Sequence, residues 1–86
     1  GGANVATFAA ISVAYWSVRL KILFNGFMEK FETSLISVQD LLEFTKEDDP
    51  AVIVEINGRF IYRKDFKSTF INEGDRVEFI HPSFGG

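Results

Sequence analysis

The residues best suited to chemistry are the last two of His81-Pro82-Ser83-Phe84-Gly85-Gly86. Glycine has no Cβ, so two in succession can pass through a cleft too narrow for any other residue and present an α-carboxylate beyond it. The chemistry that needs such an end is chemistry on the carboxylate of Gly86, with Ser83, Phe84 and Gly85 as the segment an enzyme would grip. Glycine is about 7% of average composition, so two adjacent at one place arise by chance in roughly half a per cent of chains. The competing reading is a frayed Gly-rich end, and what precedes the tail decides between them.

Other residues offer less. His81 is the only histidine; as a general base it would need an orienting partner and a nucleophile, which the local sequence does not supply, so a strand-end role is expected. Glu47-Asp48-Asp49 are successive acids with no histidine and no cation-loop spacing, and read as a solvated loop. Cysteine is absent, which excludes a disulfide scaffold, a thiolate metal site and a sulfur nucleophile of the chain's own. Any sulfur it handles must sit elsewhere.

A chain of 86 residues is one domain with a modest core, room for one sheet and one helix but not for a buried active site. The net charge of −3 and pI near 5.0 argue against a nucleic-acid or anionic-membrane surface and for a partner with a basic or apolar face. Ten Phe residues exceed what such a core needs. Phe84, with Phe60 or Phe79, is therefore a candidate for an exposed docking patch, although core packing is the favoured reading of Phe79 and an equal one for Phe60. Arg63 is a candidate recognition charge, with a surface ion pair as the alternative.

The elements that must position the tail begin at Val18. Before it, residues 1–17 form a leader or tag-like extension, uncharged from Ala3 to Trp16, shorter than a membrane span and without the basic start of a secretory signal. Its alternation would also suit an added edge strand. From Val18, alternation through Leu20, Ile22 and Phe24 predicts a strand, Asn25-Gly26 a tight hairpin turn, and Phe27 to Thr33 a return strand at a sheet edge. Ser37 with Asp40 predicts a helix start, and Val38, Leu41, Leu42 and Thr45 a core-facing stripe ended by the acidic run and Pro50. Ala51 to Ile56, the Asn57-Gly58 turn and Phe60-Ile61-Tyr62 read as a second hairpin, followed by a polar stretch to Asn72-Glu73-Gly74-Asp75. Arg76 to Ile80 is the final strand, stopped by Pro82. A helix between a hairpin and a later strand allows the first and last strands to pair in parallel at the sheet centre.

The order of these elements resembles the ubiquitin-like β-grasp fold, and four segments are similar to the ThiS family of sulfur carriers. They are Lys21-Ile22-Leu23-Phe24-Asn25-Gly26, Asn57-Gly58-Arg59-Phe60-Ile61-Tyr62-Arg63 followed by Phe66, Asn72-Glu73-Gly74-Asp75-Arg76-Val77-Glu78-Phe79-Ile80, and Gly85-Gly86. Tyr62 stands where the family often has Pro, and Phe84 where it usually has a small aliphatic residue. The resemblance implies an α+β domain over 18–86, a mixed sheet of four to five strands on one main helix with a flexible Gly-Gly tail.

It also implies a cytoplasmic carrier that is not itself an enzyme and binds no cofactor. A ThiF-type, E1-like adenylating enzyme would spend ATP with Mg²⁺ on the Gly86 carboxylate. A sulfurtransferase or cysteine desulfurase would supply sulfur, and a ThiG-type thiazole synthase would receive it. The related readings are the MoaD-type small subunit of molybdopterin synthase and a ubiquitin-like protein modifier.

Overall fold

The computed structural model describes residues 19–82. The leader 1–17 and the tail residues Ser83, Phe84, Gly85 and Gly86 lie outside the described residues. The elements are β1 (Leu20–Phe24), β2 (Phe27–Phe31), β3 (Ile36–Ser37), α1 (Val38–Phe44), β4 (Ile53–Ile56), β5 (Arg59–Ile61), a short 3-10 turn at Arg63–Asp65, β6 (Phe70–Ile71) and β7 (Arg76–Ile80). Five strands form one mixed sheet in the order β2-β1-β7-β4-β5, and β3 and β6 form a two-stranded ribbon. This is the β-grasp arrangement. As expected, β1 and β7 pair in parallel at the centre, Leu23 opposite Arg76 and Phe24 opposite Val77.

The period-two pattern explains the sheet's inner face. Leu20 and Ile22 of β1, Val54 and Ile56 of β4, and Val77 and Phe79 of β7 are buried against Val38, Leu41 and Leu42 of α1. Asn25-Gly26 and Asn57-Gly58 both take positive φ at each position (48° and 87°, 53° and 80°), as a two-residue hairpin turn of the right twist requires. In β2 only Phe31 is buried, which fits its place at the sheet edge.

The helix start is stronger than its sequence suggested. The Asp40 N–H donates to Ser37 Oγ at 3.0 Å while the Ser37 N–H donates to Asp40 Oδ2 at 3.0 Å, a complete capping box although Asp replaces the usual longer acid. Two further first-turn donors are satisfied from far along the chain: the Val38 N–H bonds Thr69 O and the Gln39 N–H bonds Phe66 O. Substituting Ser37→Ala is expected to lower stability by about 1 kcal/mol, because the Asp40 N–H loses its acceptor. A fall in the urea midpoint at unchanged slope checks this.

The helix end differs from expectation. Thr45 is exposed and caps rather than packs, its hydroxyl donating to Leu41 O at 2.9 Å. Lys46 takes φ 58°, its N–H bonds Glu43 O and the Glu47 N–H bonds Leu42 O, so a Schellman motif closes the helix before the acidic run. The usual sequence mark of that motif is glycine, and a lysine in the left-handed position conceals it. The segment after Arg63 also differs, since Phe70-Ile71 pairs antiparallel with Ile36-Ser37 where a polar stretch was expected. Two residues are too few for a period to register.

Candidate functional site

The site is built around β7, the strand that leads to the tail. Its neighbours hold it through side chains as well as the ladder. Asn25 Oδ1 accepts from the Phe79 N–H at 2.8 Å, and Asn57 Oδ1 accepts from the Arg76 N–H at 2.9 Å. The Asn57 amide also donates to Asp75 Oδ1 at 2.9 Å, and Asp75 Oδ2 accepts from the Asn72 N–H at 2.8 Å. Both Asn-Gly turns and the Asn72–Asp75 turn thus converge on one strand. Asn25 and Asn57 serve twice, adopting positive φ in the turn and bonding the backbone of β7.

On the face of the sheet turned away from α1, the cross-strand registers place Phe60 beside Glu55, Glu55 beside Glu78, and Ile53 beside Ile80. Phe60 and Tyr62 are 53% and 60% exposed, and their rings meet edge to face at 4.9 Å. Ile80 is exposed and Ile53 half-buried in the same row. This outer patch lies at the end of the sheet from which β7 passes to His81 and Pro82. Two carboxylates border it, Glu78 lying 3.6 Å from Arg76 Nε. The free edge of β5 adds an open groove of about 500 Å³ lined by Phe60, Ile61, Tyr62 and Phe70 among others.

The residues singled out from sequence divide. Phe60 is on the outer patch. Phe79 is not available for docking: it is 6% exposed, faces α1, and packs edge-on against Phe24 at 4.8 Å, because its place in β7 has the parity of Val77. Arg63 is exposed, but its guanidinium donates to the Pro50 carbonyl and lies 5.2 Å over the Phe66 ring, so it braces the loop before β4 instead of pairing with a carboxylate. Gly86, Gly85, Phe84 and Ser83 lie outside the described residues.

Sequence reasoning missed Tyr62 and Ile80 as members of the patch. The signal for Tyr62 was present, since it shares parity with Phe60, whereas Ile80 required the register with Ile53. The acidic run serves the loop: Glu47 Oε2 accepts from the Asp49 N–H, Asp49 Oδ1 from the Ala51 N–H, and Glu47 Oε1 meets His81 Nε2 at 2.7 Å. Among the described residues no group of three His, Cys, Asp or Glu could hold a metal, and no helix is long and apolar enough to cross a membrane.

The model of the ThiS family matches residues 22–86. The chain is similar to the crystal structure of the thiamine biosynthesis protein ThiS from Geobacter metallireducens, with 30% identity, 78% of this chain and 100% of that one covered, and a TM-score of 0.72. The solution NMR structure of a thiamine biosynthesis protein from the same organism is 30% identical over 78% of this chain and 88% of that one, with a TM-score of 0.65. No curated protein matches the chain.

Proposed function

Because the chain belongs to the ThiS family, we propose that it is the sulfur carrier of thiazole formation in thiamine biosynthesis, with Gly86 as the residue that bears the sulfur. The observation that carries this reading is the family match over 22–86, which takes in the last strand and the Gly85-Gly86 tail together. The similarity to structures of a thiamine biosynthesis protein supports the thiazole pathway over the molybdopterin one.

The chemistry is an acyl transfer in which this chain is the acyl group. A carboxylate is a poor electrophile. An adenylating enzyme of the ThiF type overcomes this by letting the Gly86 carboxylate displace pyrophosphate from ATP, with Mg²⁺ neutralising the phosphates, to give an acyl-adenylate. The terminal sulfur of a persulfide, delivered by a sulfurtransferase or cysteine desulfurase, then attacks the carbonyl carbon and expels AMP. A thiol cleaves the S–S bond of the resulting acyl disulfide, leaving a thiocarboxylate on Gly86 and a disulfide on the thiol's side. With no cysteine of its own, the chain takes both persulfide and thiol from its partners. A thiazole synthase of the ThiG type finally accepts the sulfur.

The body of the domain contributes recognition. The outer patch of Phe60, Tyr62 and Ile80 with its flanking Glu55 and Glu78 offers apolar anchors and negative charge to an apolar, basic partner face. Truncating Phe60→Ala is expected to raise the KM for the carrier in the adenylation reaction about tenfold, as loss of a central aromatic anchor does. The unfolding midpoint should stay put, since the ring is half in solvent. The reading itself is tested by intact mass after incubation with ATP, a sulfur donor and the cognate adenylating enzyme. The expected result is a gain equal to one sulfur replacing one oxygen, located on Gly86. An unchanged mass in a system that modifies another carrier would remove it.

A further inference from the structure

We infer that His81 and Glu47 form a strut that fixes where the tail leaves the domain, making His81 a positioning residue for chemistry at Gly86; the inference rests on the carrier reading above. Glu47 is held from two sides before His81 reaches it. Its backbone N–H closes the Schellman motif on Leu42 O at 2.8 Å, and its Oε2 accepts from the Asp49 N–H at 3.2 Å. Its side chain is 13% exposed, and the remaining oxygen, Oε1, lies 2.7 Å from His81 Nε2. The end of the helix therefore presents a fixed acceptor to the first residue beyond β7.

The position of His81 gives the contact its consequence. Alternation along β7 puts Phe79 and His81 toward the helix and Ile80 toward the outer patch. Ile53 opposite Ile80 is the last pair of the β4–β7 ladder, and strand ends open readily where nothing lies beyond them. Pro82 has no N–H with which to extend the pairing. The strut supplies the missing anchor.

With His81 held, five residues, 82–86, lie beyond the anchor, and a chain of that length spans at most about 18 Å. If the chain instead pivoted at Ile80, six residues would reach about 21 Å. The strut thus shortens the span between the last anchored residue and Gly86 and keeps Ile80 within the patch offered to the partner. Docking surface and reactive end are given one geometry, which is what an adenylating site needs to receive a carboxylate in line with ATP.

His81 touches no reacting atom, and a partly exposed pair adds little to global stability. The effect is therefore local. In the full chain, His81→Ala and Glu47→Ala are expected to speed amide hydrogen exchange at Ile53 and Ile80 about fivefold, while the unfolding midpoint stays nearly constant. Glu47→Gln retains a carbonyl oxygen as acceptor and should restore slow exchange. In adenylation, followed by pyrophosphate release, the KM for the carrier should rise about fivefold in the two alanine variants with kcat unchanged, and return with Glu47→Gln.

Exchange at Ile80 unchanged in His81→Ala would overturn the strut. Faster exchange with an unchanged KM would overturn its role in positioning. A wild-type chain that no adenylating enzyme modifies would overturn the carrier reading instead, and the exchange measurement would still decide the strut.

Discussion

Deletion of Gly86 is expected to leave a folded domain that no longer acquires sulfur. Removing the last glycine moves the carboxylate back along the chain by about 3.3–3.6 Å, and misplacement of a reacting group by 1 Å can already cost about a hundredfold. The rate of adenylation should therefore fall by at least about a hundredfold. The fold should be indifferent, because β7 is held by Asn25, Asn57 and its two strand neighbours, none of which involves the tail. The measurement is a pair: intact mass after incubation with the adenylating enzyme, ATP and a sulfur donor, and the urea midpoint of the same sample. Loss of the sulfur adduct with an unchanged midpoint is the expected outcome. Retention of the adduct in the deletion variant would place the reactive group somewhere other than Gly86.

The second large effect concerns the handle that carries the tail. Leu41 is fully buried beneath the sheet, at 0% exposure. Leu41→Ala is expected to cost about 3 kcal/mol, combining lost burial with the cavity left among Ile22, Val54 and Val77 and their neighbours in the core. A domain of this size has only about 3–10 kcal/mol to lose. A marked fall in the urea midpoint with little change in slope would confirm it, and a variant of roughly wild-type stability would contradict the packing of α1. The comparison residue is Leu35, which is exposed; Leu35→Ala should change stability by no more than about 0.5 kcal/mol.

Much of the architecture was legible because its signals are local. Strong alternation in Leu20-Ile22 and Val52-Val54-Ile56 shows which side faces the core, and the two Asn-Gly pairs name their turns through the conformations they tolerate. The missed features involve local signals that were weak or substituted. Helix α1 ends at a left-handed lysine where glycine was the mark to look for. The β3–β6 ribbon is two residues on each side. Arg63 was weighed as a partner or ion-pair charge, and its place on the Pro50 carbonyl and the Phe66 ring depends on loops meeting across the fold.

The sequence by itself determined which chemistry to propose. Gly85-Gly86 names the carboxylate on which the proposed chemistry rests, and the absence of cysteine means that any sulfur must come from a partner, since those are properties of composition and of the residues themselves. Tertiary structure alone decided how exposed Phe60 is and what meets the end of β7. Core burial of Phe79 was legible from its parity with Val77, whereas Phe60 was evenly balanced in sequence, and its place opposite Glu55 on the outer face put it in solvent. His81 and Glu47 are separated by 34 positions and meet at 2.7 Å because a helix end and a strand end arrive together. Contacts of that kind depend on packing between distant elements, which no local pattern encodes.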